Sequence, residues 1–179
     1  MRTFLAIEIP EYVRAPIHEF ILSQADSELP IKWVAFQNLH ITLKFLGEID
    51  DKKKMAIIPA ITDVCMRQCH FRLRLGVLGC FPTQRQPRVI WISVDEGDDV
   101  LCRIASDVEN RLREFGFTEE KRFHPHLTIG RVKKPCRIDN ILQKSIGTDA
   151  FEVDSLVLFM STLKPDGPIY EVLERFTLA

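Results

Sequence analysis

Two four-residue echoes, His40-Ile-Thr-Leu and His126-Leu-Thr-Ile, stand 86 positions apart (40 to 126) in a chain of 179 residues. In each, one apolar residue separates a histidine from a threonine. Successive side chains on a β-strand alternate between faces. This spacing therefore sends imidazole and hydroxyl one way and the aliphatic neighbours the other. The chain is thereby committed to two strands with a reactive polar face and a core face. Set against each other, they enclose two imidazoles and two hydroxyls in a small space. That set suits in-line displacement at an anionic centre. One histidine removes a proton, the other supplies one, and the hydroxyls hold oxygens.

The rest of the chain reads as mixed helix and strand. Thr3–Ile9 is a short apolar strand closed by Pro10. Apolar residues at Val13, Ile17, Phe20 and Ile21 predict a helix from Glu11 to about Ser27, with Pro30 ending the region. Lys32–Val34 and His40–Leu46 read as strands, and Gly47 is a stop. Asp50-Asp51 signs the start of a second helix over about residues 52–68. Phe71–Phe81 alternates as a strand, Pro82–Pro87 reads as a polar loop, and Arg88–Val94 is again a strand. A third helix, about Asp99–Phe115, ends at Gly116. The polar stretch Thr118–Arg122 leads to His124-Pro125-His126 and the strand Leu127–Val132. A short helix near Ile138–Ser145 follows. Two strands, Phe151–Thr162 and Ile169–Leu178, close the chain around the turn Lys164-Pro165-Asp166-Gly167-Pro168. Hairpins mixed with helices, without steady β-α alternation, predict an α+β fold. The echoes lie about half a chain apart in similar surroundings. This reads as an internal duplication: one domain, residues 1–179, of two interleaved lobes with one motif each across a cleft.

Composition narrows the partners. With 46% hydrophobic residues, 27% charged and a net charge of −1, the chain has no global pull toward nucleic acid. Any such contact falls to local basic pieces: Arg72/Arg74, Arg85/Arg88, Lys121/Arg122 or Lys133/Lys134. The span Lys121–Lys134 brackets the second motif. Five scattered cysteines, an odd number, fit the reduced thiols of a cytosolic protein. Cys65 and Cys69 read as helix-packing residues rather than a zinc pair. No apolar leader precedes the first strand, and no apolar run is long enough to span a bilayer.

The flanks of the echoes carry more. The opening Arg2-Thr-Phe-Leu-Ala-Ile-Glu-Ile-Pro10, the two segments His40-Ile-Thr-Leu-Lys-Phe-Leu-Gly47 and Phe123-His-Pro-His-Leu-Thr-Ile-Gly-Arg131, and the tail Tyr170-Glu-Val-Leu-Glu-Arg-Phe176 resemble the 2H phosphoesterases. Within that superfamily they are similar to the RNA 2′,3′-cyclic phosphodiesterase branch, historically called 2′-5′ RNA ligase. The resemblance implies a bilobal fold whose pseudo-twofold-related lobes turn antiparallel sheets toward a central cleft, with helices outside. It implies metal- and cofactor-independent hydrolysis of a cyclic phosphodiester to a 2′-phosphomonoester. Carried over by position, His40 is the proton donor, His126 the proton acceptor, Thr42 and Thr128 bind the phosphate, and Arg131 contacts substrate. The implied partner is RNA with 2′,3′-cyclic phosphate ends, tRNA fragments among them, met by a cytoplasmic monomer without membrane contact. Competing readings are the reverse 2′-5′ ligation of tRNA half-molecules and an RNA-binding module without turnover.

Several residues remain open from the sequence. His124 shares the parity of His126 and reads either as a third cleft residue or metal ligand, or as part of a rigid lead into the strand through Pro125. Zinc chemistry at the pair is disfavoured because no carboxylate or further histidine accompanies them. Lys44 shares the parity of His40 and faces either the cleft or a solvated strand end. Arg131 has the wrong parity for the cleft unless a bulge at Gly130 redirects it. Phe45, Phe81, Phe123 and Trp91 read as core, with one or two available to stack a base. His18 and His70 read as surface residues.

Overall fold

The computed structural model describes residues 1–25, 27–118 and 123–179. The polar pair Lys121/Arg122 lies outside the described residues. Among the described residues, nine strands and four helices follow in the order β1 (Arg2–Glu8), α1 (Glu11–Ala25), β2 (Ile31–Trp33), β3 (His40–Glu48), α2 (Asp51–Cys65), β4 (Phe71–Thr83), β5 (Gln86–Glu96), α3 (Asp98–Arg113), β6 (His126–Val132), α4 (Asp139–Leu142), β7 (Phe151–Val153), β8 (Ser155–Lys164) and β9 (Gly167–Thr177). They form two antiparallel sheets, β3-β1-β8-β9 and β2-β6-β5-β4-β7. Each sheet takes strands from both halves of the chain. The chain crosses from β2, an edge of the five-stranded sheet, through one 3₁₀ turn into β3, an edge of the four-stranded sheet. β3 and β6 thereby meet along the middle of the molecule.

Local chemistry explains the elements. Val13, Ile17 and Ile21 form a single buried stripe of α1 at helical spacing. Asp50 caps α2, its carboxylate accepting from the Lys53 N–H at 2.7 Å, a contact worth about 1 kcal/mol. Gly97 (φ 86°) and Gly116 (φ 75°) take the left-handed conformations that open and follow α3. β1 is buried on both faces. Leu5 and Ile7 join the main core, while Phe4 and Ala6 join a smaller cluster with Val157, Phe159 and Tyr170. α2 and α3 pack on each other and reach β9 and β3. No helix among the described residues is long and apolar enough to cross a membrane.

Two expectations change. Pro82–Pro87 is not a loop: β4 and β5 continue to a turn at Gln84-Arg85, with Thr83 paired to Gln86. Local polarity misleads there because a hairpin arm in solvent needs no apolar residue. The expected strand Phe151–Thr162 is two strands in different sheets, β7 beside β4 and β8 beside β1. The break falls at Asp154, whose carbonyl accepts from Leu178 N–H at 2.8 Å.

Candidate active site

The two motifs repeat each other in space as well as in sequence. Along β3 the residues His40, Ile41, Thr42, Leu43, Lys44 and Phe45 run partly buried, buried, partly buried, buried, buried, exposed. Along β6 the residues His126, Leu127, Thr128, Ile129, Gly130 and Arg131 repeat that order. The two consecutive buried positions mark a bulge. In β3, Thr42 pairs with Ala6 and Lys44 with Leu5, so Leu43 is the extra residue. In β6, Thr128 pairs with Trp91 and Gly130 with Ile90, so Ile129 is extra. Each bulge reverses the alternation behind its motif.

The bulges settle Lys44 and Arg131. Arg131 turns to the face of His126 and Thr128. The bulge falls at Ile129 rather than at Gly130. Gly130 serves another purpose: a Cβ there would stand 3.0 Å from the Trp33 ring on the neighbouring strand. Lys44 turns away from the cleft and is buried. Its ammonium meets Glu109 of α3 at 2.5 Å and the Thr118 carbonyl at 3.1 Å. The parity that aimed Lys44 at the cleft holds only for an unbulged strand.

Both imidazoles are held the same way. His40 Nδ1 lies 2.7 Å from the Asn38 carbonyl and His126 Nδ1 lies 2.6 Å from the His124 carbonyl. A carbonyl only accepts, so Nδ1 carries hydrogen in each ring, and in the neutral form Nε2 is the basic nitrogen. Thr42 then donates its hydroxyl to His40 Nε2 across 2.9 Å. When His40 is protonated, Nε2–H becomes the donor and the Thr42 hydrogen is released for a phosphate oxygen. His124 holds His126 through its backbone carbonyl, and its exposed ring acts on His126 through its charge. Asn38, unremarked in the sequence, is buried and ties its amide to the Pro168 carbonyl at 2.8 Å, which fixes the segment that orients His40.

Aromatic rings bed both histidines. Tyr170 stands edge-on to His40 at 5.2 Å and 88°, and Phe81 edge-on to His126 at 5.2 Å and 87°. Phe4 lies 4.9 Å from His40, and Trp91 lies 6.3 Å from His126. The reading of Phe45, Phe81 and Trp91 as core is thus corrected. They belong to cleft-facing positions, and Phe45 is 57% exposed. Phe123 does pack against the main core. Gly79 makes room for Trp91, whose ring a Cβ at that position would strike.

Charge and burial set the titration of the pair. Burial pushes His40 down to about 4, assisted by the nearby positive charges of Arg131 and His126 and opposed by the Asn38 carbonyl. Burial also lowers His126, assisted by the charges of His124 and Arg131 and opposed by the His124 carbonyl. Burial raises Tyr170, against the charges of Arg131 and Arg2. The Arg131 charge therefore reaches both imidazoles and the phenol. β3 and β6 bring His126 and Arg131 close enough for their charges to act on His40, and Thr42 and Thr128 share the strand faces of the two histidines. Of the basic pieces, Arg72 and Arg74 pair with Glu96 and Asp95, while Arg85, Arg88, Lys133 and Lys134 are exposed. No group of three or more His, Cys, Asp or Glu residues arranged for a metal occurs among the described residues.

Known proteins resemble this chain in sequence and in fold. The chain is 38% identical to the RNA 2′,3′-cyclic phosphodiesterase of Methanocaldococcus jannaschii over 98% of this chain and 100% of that one. It is 36% identical to the protein of the same name from Archaeoglobus fulgidus over 98% and 99%. The crystal structure of TT0787 of Thermus thermophilus superposes with a TM-score of 0.82 at 31% identity, covering 99% of this chain and 98% of that one. E. coli LigT complexed with 3′-AMP superposes with a TM-score of 0.77 at 26% identity, covering 99% and 96%. Residues 13–163 match the family model of the 2′-5′ RNA ligase superfamily, and the chain belongs to that family.

Proposed function

We propose that this cleft opens the 2′,3′-cyclic phosphate ends of RNA by adding water, leaving a 2′-phosphomonoester and a free 3′-hydroxyl, without a metal ion. His126 takes a proton from water as its oxygen bonds to phosphorus. The bond from phosphorus to the 3′-oxygen breaks, and His40 supplies the proton that oxygen needs. Thr42 and Thr128 hold the non-bridging oxygens, and Arg131 offsets the charge that grows on them. Each positioned acid or base contributes about 10²–10⁴ in rate. The relatives named above bear the name of this activity. One observation carries the reading for this chain: two imidazoles, each fixed through Nδ1 to a backbone carbonyl two residues back, lie within reach of one guanidinium. In the cell the substrates are RNA ends, tRNA fragments included, and a monomer suffices because one chain supplies both histidines.

The test incubates the protein, with chelator present, on an RNA ending in a 2′,3′-cyclic phosphate and locates the phosphate in the product. A 2′-phosphate formed without metal supports the reading. Product that forms only after zinc or manganese is added rejects it.

A further inference from the structure

In-line attack fixes which side of the phosphorus each group occupies. Water enters opposite the leaving 3′-oxygen. With His126 on the water and His40 on that oxygen, the ribose lies on the His40 side. The nucleoside therefore projects over the four-stranded sheet rather than the five-stranded one. A groove of about 460 Å³ begins there, at His40, Phe159 and Tyr170, and it is not lined by His126. Its size is in the range of small-molecule sites, roughly 300–1,000 Å³.

The position and charge of the groove say what it can take. Glu8 stands directly opposite His40 in the β1–β3 register, roughly 5 Å away across the strands. Arg175 reaches over from β9 to bind the Glu8 carboxylate at 2.6 Å. Beyond this pair the lining charges are Arg14, Glu152 and Asp154, so carboxylates outnumber guanidiniums. A second phosphate gains nothing from that balance. A neutral base does: its edge offers N–H donors and ring or carbonyl acceptors, which an adjacent carboxylate and guanidinium can meet together. The Glu8–Arg175 pair is only half-buried, so both groups keep lone pairs and N–H bonds free for a ligand.

We propose that this groove is the nucleoside subsite, holding the ribose and base of the nucleotide that carries the cyclic phosphate, with Glu8 and Arg175 facing the base edge. It rests on the assignment of His40 as proton donor in the reaction above.

The experiment measures steady-state hydrolysis of the four nucleoside 2′,3′-cyclic phosphates and of methyl riboside 2′,3′-cyclic phosphate, which has no base. The wild-type protein is compared with the double variant Glu8→Ala/Arg175→Ala, which leaves neither charge unpaired. Loss of hydrogen bonds to charged groups predicts a fall of about 10- to 100-fold in kcat/KM on the nucleotides, unequal among the bases. On the base-free substrate the change should stay under about threefold. Gln37→Ala, at an exposed position of the same groove, should show the same pattern more weakly and serves if the double variant does not fold. Equal wild-type rates with and without a base overturn the proposal, as does an equal loss on both substrate types. Wild-type protein inactive on all five substrates would instead remove the reaction on which the proposal rests.

Discussion

Placing an anion between the two histidines should put a proton on His40. In the free protein that imidazole titrates at about 4, so at neutral pH roughly one molecule in a thousand carries the proton a donor needs. Half-occupancy at pH 7 requires a rise of about three units, or about 4 kcal/mol. A single anion about 4 Å from the ring, at an effective dielectric constant near 20, supplies about 4 kcal/mol. The substrate's own charge is thus large enough to arm the acid. The coupling is reciprocal: an anion that raises the pKa must bind more tightly as the pH falls. For a rise from about 4 to about 7, affinity at pH 5 exceeds that at pH 7 by about 50-fold. Sulfate keeps a fixed charge over this range, so calorimetric titration at constant ionic strength isolates the effect. His40→Gln should remove most of the slope and leave the share due to His126. Sulfate affinity that stays flat between pH 7 and 5, or a full slope in His40→Gln, would refute the reasoning.

Further outcomes follow from the same contacts. The unfolded chain protonates His40 near 6.5 but the folded one only at about 4, so acid favours unfolding. Stability should therefore decline from about pH 6.5 to about pH 4, by up to about 3 kcal/mol from this residue. Urea unfolding at several pH values should find the decline reduced in His40→Gln. Lys44→Met strips the ammonium from Glu109 and the Thr118 carbonyl and should cost about 3–5 kcal/mol. At this chain length that lowers the melting temperature by about 6–20 °C, and a loss of only a degree or two would contradict the buried pairing. Arg131→Gln removes a charge that depresses His40, so NMR should show that ring titrating higher while kcat/KM drops. Gly79→Ala forces a Cβ into the Trp91 ring and should lower both stability and turnover, whereas unchanged turnover would show that Trp91 does not support His126.

What could be read from the chain was whatever depends on period. The echoes placed His40, Thr42, His126 and Thr128 because a strand alternates over three residues regardless of its neighbours. Lys44 defeated the same rule because a bulge is set by pairing with β1, a strand close to forty residues away in sequence. Arg131 needed its bulge, and family likeness supplied what parity denied. The aromatic bed was hidden for a related reason. Phe4 and Leu5 are adjacent and both buried, and only the sheet decides that Leu5 enters the main core while Phe4 lies against His40. Asn38 carried no signal, since its contribution is a carbonyl to His40 and an amide bond to Pro168, far along the chain.

The matched motif strands also show how a repeated frame gives the two histidines unequal surroundings. The two motif strands agree through the bulge and diverge where they leave it. The inward position is Lys44 in one and Gly130 in the other, the first bound to α3 and the second emptied for Trp33. The cleft position is Phe45 in one and Arg131 in the other, so one motif strand carries a guanidinium where the other carries a phenyl ring. Two identical imidazoles would titrate as an equivalent pair, and only the orientation of the substrate would distinguish acid from base. Here His40 lies in an aromatic bed of Phe4 and Tyr170 and holds its proton loosely. The substrate's anion lifts that ring toward neutrality, where it can both hold a proton and give it up. In the proposed reaction, the proton that the substrate's charge brings to His40 passes to the departing 3′-oxygen, and the neutral ring then awaits the next anion.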